Sequence, residues 1–91
     1  MSSPLALALG HVRNAVWQLM GSQHENGISL GLEALEVEAL LNLDDIDPAV
    51  PAVGPDPAAS LIVARQLLER VPDEVPPAAW VGLQALIVKL G

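Results

Sequence analysis

The residues with the clearest chemical potential are a cluster of carboxylates. Asp44, Asp45 and Asp47 follow a predicted helix that contains Glu33 and Glu36. Carboxylate oxygens are the ligands that hard divalent cations prefer. The spacing does not match a calcium-binding EF-hand loop, because the glycine at its sixth position and the closing glutamate are absent. We therefore expect a solvated acidic edge and no bound metal.

The histidines and serines form no recognisable active site. His11 and His24 have no second histidine or glutamate at the spacing of a zinc or di-iron helix motif. The chain has no cysteine, which excludes thiolate ligands and thiol nucleophiles. No glycine-flanked serine or phosphate-binding loop occurs. We predict a protein without enzymatic activity and without a cofactor.

One segment resembles a known family. Residues 31–41 read Gly-Leu-Glu-Ala-Leu-Glu-Val-Glu-Ala-Leu-Leu. They are similar to the start of the second helix of acyl carrier proteins, which are also small, acidic and four-helical. The family pattern Gly-x-Asp-Ser-Leu carries a phosphopantetheine arm on its serine. Here Glu33 and Ala34 replace the aspartate and the serine, so the resemblance implies no attachment site.

Composition limits the classes of partner. The 91 residues form one domain at most, residues 1–91, with a net charge of −7. Only 4 residues are Lys or Arg, so no basic patch exists for phosphate groups and we expect no nucleic acid. Apolar residues make up 52% and charged residues only 16%, where about 25% charged is usual. This surplus of apolar surface predicts contact with another chain.

A membrane location is not expected. The uncharged stretch at 75–88 contains two prolines and Gln84 and ends at Lys89. It is shorter than the roughly 20 apolar residues of a membrane span. Residues 1–10 lack the basic segment of a signal peptide. We predict a cytoplasmic protein that does not enter a membrane.

Apolar periodicity predicts four helices and no strand. The predicted helices span residues 3–20, 29–43, 57–71 and 76–90. Four prolines in residues 44–57 exclude a helix there, because proline lacks the backbone N–H and restricts the preceding residue. The fold class is therefore all-α, a compact four-helix bundle-like domain with a proline-rich connector between the second and third helices.

Capping residues define the expected helix ends. Ser3, Ser29 and Asp56 each precede a predicted helix with a side-chain acceptor for its free N–H groups. Pro57 suits the first position of the third helix. Gly21 is a natural stop for the first helix.

The apolar stripes predict which helix faces are buried. The first helix has one stripe, formed by Leu5, Leu9, Val12, Val16 and Leu19. The second helix has two, formed by Leu32, Leu35, Ala39 and Leu43 and by Ala34, Val37 and Leu41. The fourth has two, formed by Trp80, Leu83, Leu86, Ile87 and Leu90 and by Val81, Ala85 and Val88. A helix that is apolar on two faces is packed from both sides.

These extra stripes lead to a functional expectation. We predict a homodimer, the commonest closed assembly, with an interface formed by Trp17, Val37, Val81, Ala85 and Val88. Trp17 lies outside the stripe of its helix and is either an interface anchor or covered by the connector. The expected function is a small non-enzymatic interaction or adaptor protein that self-associates, and another protein is a further candidate partner. The alternative is a carrier of an apolar small molecule between the helices.

Overall fold

The predicted all-α architecture is confirmed. A computed structural model describes residues 4–21, 26–42 and 56–90. Its helices are α1 (Pro4–Met20), α2 (Gly27–Leu41), α3 (Pro57–Leu68) and α4 (Pro77–Leu90), with a 3₁₀ turn at Pro72–Glu74. These described residues contain no strand. The expectations on Ser3, His24, Leu43 and the connector up to residue 55, including Asp44, Asp45 and Asp47, lie outside them.

The start of α3 follows the prediction, whereas the start of α2 differs from it. Asp56 caps α3, because its side chain accepts a hydrogen bond from the Ala59 backbone N–H at 2.7 Å. The prediction that Ser29 caps α2 is wrong. The helix already begins at Gly27, because the Leu30 N–H donates to the Asn26 carbonyl at 2.9 Å. Ser29 therefore lies within the first turn, exposed to solvent.

The third helix ends three residues earlier than predicted. The N–H of Val71 donates to the carbonyl of Leu68 at 3.0 Å, a three-residue bond that tightens the last turn. Pro72 follows and disfavours helical backbone at the residue before it. The chain then forms the 3₁₀ turn and enters α4 at Pro77.

The four helices pack in a ring around one aliphatic core. Helix α1 contacts α2 and α3, and α4 contacts the same two, so α1 and α4 lie on opposite corners. The whole predicted stripe of α1 is buried, as expected. The other helices add Leu30, Ala34, Val37, Leu41, Leu61, Ala64, Leu68, Ala79, Leu83 and Leu86.

Two contacts fix the relative positions of α1 and α2. The carboxylate Oε1 of Glu38, a residue only 7% exposed, accepts from Arg13 Nε at 2.8 Å and Nη2 at 2.7 Å. Seven residues further along α1, the side chain of Met20 packs against Gly31. A Cβ at Gly31 would lie only 2.7 Å from Cγ of Met20. Both pairs follow one antiparallel register. Trp17, which lies between them on α1, is therefore level with Ala34 on α2.

Helices α2 and α4 also pack closely and run antiparallel. A Cβ at Gly82 would lie 2.9 Å from Cγ2 of Val37, so the glycine permits the close approach. At the other end, Lys89 Nζ donates to Glu33 Oε1 at 2.7 Å. None of the described helices is both long and apolar enough to cross a membrane.

Candidate interaction surface

The outward side of α4 carries a stripe of exposed apolar side chains. Val81 is 71% exposed and Val88 is 68% exposed, and Ala85 between them is also exposed. They lie opposite the core residues Leu83 and Leu86, because a helix turns by 100° at each residue. We call Val81, Ala85 and Val88 the α4 stripe. The structure thus brings together three of the five predicted interface residues.

A shallow open groove runs along this stripe. Its volume is about 590 Å³, and its lining adds Trp80, Gln84 and Lys89 to the α4 stripe. Lys89 supplies the only charge in the lining, and its ammonium group is held by Glu33. Water therefore meets an almost wholly apolar wall here. Such a wall is typical of a contact site on a small protein.

Val37, which was predicted to be part of the interface, is buried in the core. Only 2% of its surface is exposed, because it packs under Gly82 in the core of the chain. It touches the floor of a second groove, between α2 and α4, of about 210 Å³. The expectation that Val37 offers a contact face was based on its position in the second stripe of α2, and that stripe is the one that faces inward.

Trp17 is exposed, but on another part of the surface. Its side chain is 71% exposed rather than covered. It lies on α1, which is diagonal to α4 in the ring of helices. It is therefore not part of a single surface with the α4 stripe.

The structure reveals a second apolar surface that was not assigned as an interface from the sequence. Ile28, Leu32, Leu35 and Ala39 are all exposed on α2 at spacings of 4, 3 and 4 residues. The buried residues Leu30, Ala34, Val37 and Leu41 repeat that spacing two residues later, about 200° around the helix. The spacing of the outer residues was visible in the sequence. Nothing there decided that they would stay uncovered.

Trp17 and Met20 extend this second surface across the seam between α1 and α2. Both are exposed and lie on the outward side of α1, beside the edge where α2 packs. We call Trp17, Met20, Ile28, Leu32, Leu35 and Ala39 the α1–α2 face. It holds five of the nine large exposed hydrophobic side chains of the described residues. Glu33 and Glu36, which line the groove between α2 and α4, separate it from the α4 stripe.

The titratable groups do not converge. Within residues 4–21, 26–42 and 56–90, no three His, Asp or Glu side chains are close enough to hold a metal ion. Partial burial of His11 lowers the pKa of its imidazole, because removal from water disfavours the charged form. Its Nδ1 atom and the hydroxyl of Ser60 are buried and lack a hydrogen-bond partner in the described structure.

Comparison with known proteins gives no relative. No protein-family model, no curated protein and no solved structure matches this chain. The similarity of residues 31–41 to acyl carrier proteins therefore gains no support from a family match. The functional interpretation is based on the two exposed surfaces alone.

Proposed function

We propose that this chain is a small non-enzymatic interaction protein that self-associates and binds a further protein through apolar helical faces. The observation that carries the proposal is the exposed apolar stripe on the outward side of α4. Val81, Ala85 and Val88 are exposed there, while the residues that α4 contributes to the core, Ala79, Leu83 and Leu86, lie on the opposite side of the helix. Among residues 4–21, 26–42 and 56–90, no helix packs over this stripe.

The size of the chain strengthens this argument. A domain of 91 residues has little polar surface with which to offset an apolar stripe, and only 16% of its residues are charged. Covering exposed aliphatic area is favourable by roughly 25 cal/mol per Å². Binding of another protein over the α4 stripe is therefore favoured by the burial of this apolar area.

The alternative, a carrier of an apolar small molecule, requires an enclosed aliphatic cavity. The groove along α4 and the groove between α2 and α4 are open to solvent, so neither favours a carrier. We therefore retain the interaction protein as the proposed function.

A site-specific photo-crosslinker tests the proposal in the native cell. We place the crosslinker at position 88 in the α4 stripe and, as a control, at position 62 on α3, where Ile62 is 43% exposed. We expect a defined adduct at position 88 that is absent at position 62 and is lost when Val81→Glu is added. Equal adducts at both positions, or none, would contradict binding through α4.

A further inference from the structure

The outward stripe of α2 is complementary to itself. When two copies of α2 lie antiparallel with the two-fold axis midway between positions 33 and 34, Leu32 faces Leu35 of the second copy. In the same register Ile28 faces Ala39 of the second copy, so a large side chain meets a small one. Spacings of 4, 3 and 4 residues are those of a coiled-coil seam. All four residues of the stripe therefore pair with residues of a second copy in one register.

The position of Trp17 agrees with this axis independently. The contacts Arg13–Glu38 and Met20–Gly31 place Trp17 level with Ala34, within one residue of the axis. The two-fold operation keeps each Trp17 on the same flank of the paired helices. The two indoles then lie beside each other at the centre of the contact, where aromatic anchors contribute most to binding.

A stable dimer would cover only a modest share of the surface of this chain. A stable interface takes about 800 Å² from each partner, about one seventh of the 5407 Å² surface of this chain. The α1–α2 face is one of the four sides of the bundle and bears more than half of the exposed large hydrophobic side chains in the described residues. The α4 stripe is smaller and stays open on a different corner of the ring.

From these observations we infer that the α1–α2 face binds a second copy of this chain, as an antiparallel two-fold dimer with Leu32 against Leu35 and the two Trp17 side chains at its centre. The inference rests on the proposed function and deepens it, because it assigns self-association to α2 and leaves the α4 stripe for the other protein. Each chain carries a net charge of −7. Salt screens the repulsion between like charges, so this dimer tightens as salt is added.

Sedimentation velocity at 1 to 100 µM tests the assignment. The wild-type chain of 9.5 kDa is expected to sediment as a dimer, more completely at high salt. Leu32→Glu places two unpaired charges in the contact, one from each copy. Trp17→Ala removes both central anchors. Each is expected to raise the dimer Kd at least about 100-fold. All substituted side chains are exposed, so far-UV circular dichroism should show the same helix content for every variant.

Val88→Glu is the matched control, since Val88 is at least as exposed as Leu32 but lies on α4. It should leave the dimer unchanged. A monomeric wild-type chain at 100 µM would overturn the inference, and binding through α4 would still be decided by its own crosslinking test. Dissociation by Val88→Glu but not by Leu32→Glu would overturn the inference while agreeing with the proposed function.

Cysteine crosslinking tests the register, and the chain offers no native cysteine to interfere. We mix an Ile28→Cys chain with an Ala39→Cys chain under mild oxidation. The antiparallel pairing predicts disulfide-linked dimers in the mixture only. In either variant alone, the two like positions are 11 residues apart along the seam, about 16 Å, beyond the reach of a disulfide. Efficient crosslinking of Ile28→Cys by itself would refute the antiparallel register.

Discussion

The contact between Gly82 and Val37 gives a prediction in which the sign of one substitution depends on a second residue. In Gly82→Ala the new Cβ lies 2.9 Å from Val37 Cγ2, where carbon atoms prefer about 3.5–4.0 Å. Val37 is buried and branched, so it cannot rotate away. Overpacking of this kind costs about 1–3 kcal/mol. Replacing an interior helix glycine by alanine returns about 1 kcal/mol of helix propensity.

We therefore expect Gly82→Ala to lower the free energy of unfolding by about 1 kcal/mol. Val37→Ala removes the opposing methyl groups, so in that background the same Gly82→Ala should raise the free energy of unfolding by about 1 kcal/mol. The coupling between the two positions is then about 2 kcal/mol, typical of residues in direct contact. The reversal of sign is the specific expectation.

Urea unfolding of the four chains, followed by far-UV circular dichroism, measures this cycle. All four are compared at one protein concentration, because self-association makes the apparent stability depend on concentration. A Gly82→Ala substitution that is stabilising by the same amount in both backgrounds would refute the close approach of α2 and α4. Equal denaturant slopes are required, since a changed slope means a changed unfolded or folded state.

Three further predictions concern single residues. Asp56→Ala removes the acceptor for the Ala59 N–H and should lower the free energy of unfolding by about 1 kcal/mol. Asp56→Asn keeps an acceptor and should change that free energy little. If urea unfolding shows the same loss of stability for both variants, the cap is contradicted. Ser60→Ala removes a buried hydroxyl that has no hydrogen-bond partner among the described residues, so it should raise the melting temperature. A lower melting temperature would show that the hydroxyl is hydrogen-bonded. Burial lowers the pKa of His11 below its ordinary 6.5. The unfolded chain therefore takes up this proton first as the pH falls, and stability decreases from about pH 6.5. His11→Gln should reduce the loss in the free energy of unfolding as the pH falls below about 6.5, and an unchanged pH dependence would refute this.

Several features of the fold could be predicted because they are local. The stripe of α1 was readable because it is the only apolar stripe on that helix, and the cap at Asp56 because an acceptor precedes a proline at the first helical position. The Ser29 cap was wrongly predicted, since Asn26 and Gly27 allow the chain to enter the helix earlier. The end of α3 was misplaced because tight three-residue bonds before Pro72 cannot be read from apolar spacing.

The candidate site was only partly predictable. The α4 stripe was identified because it is the weaker of two faces on that helix. Trp17 was identified as exposed or covered, without a decision between them. Val37 was misassigned, and the outward stripe at Leu32 and Leu35 was seen as apolar but not chosen as a contact surface. In each case the missing information was which neighbour packs on which side.

The sequence by itself determined the helical class, the α1 core and the existence of two apolar stripes on α2. Only the tertiary structure decided which of those stripes faces inward. Both have the same spacing, so periodicity cannot rank them. The inward one includes Ala34 and lies beside Gly31, where small residues let α1 approach closely, and its Val37 fits under Gly82. Packing against two neighbours therefore selected the core and left Leu32 and Leu35 in solvent, level with Trp17.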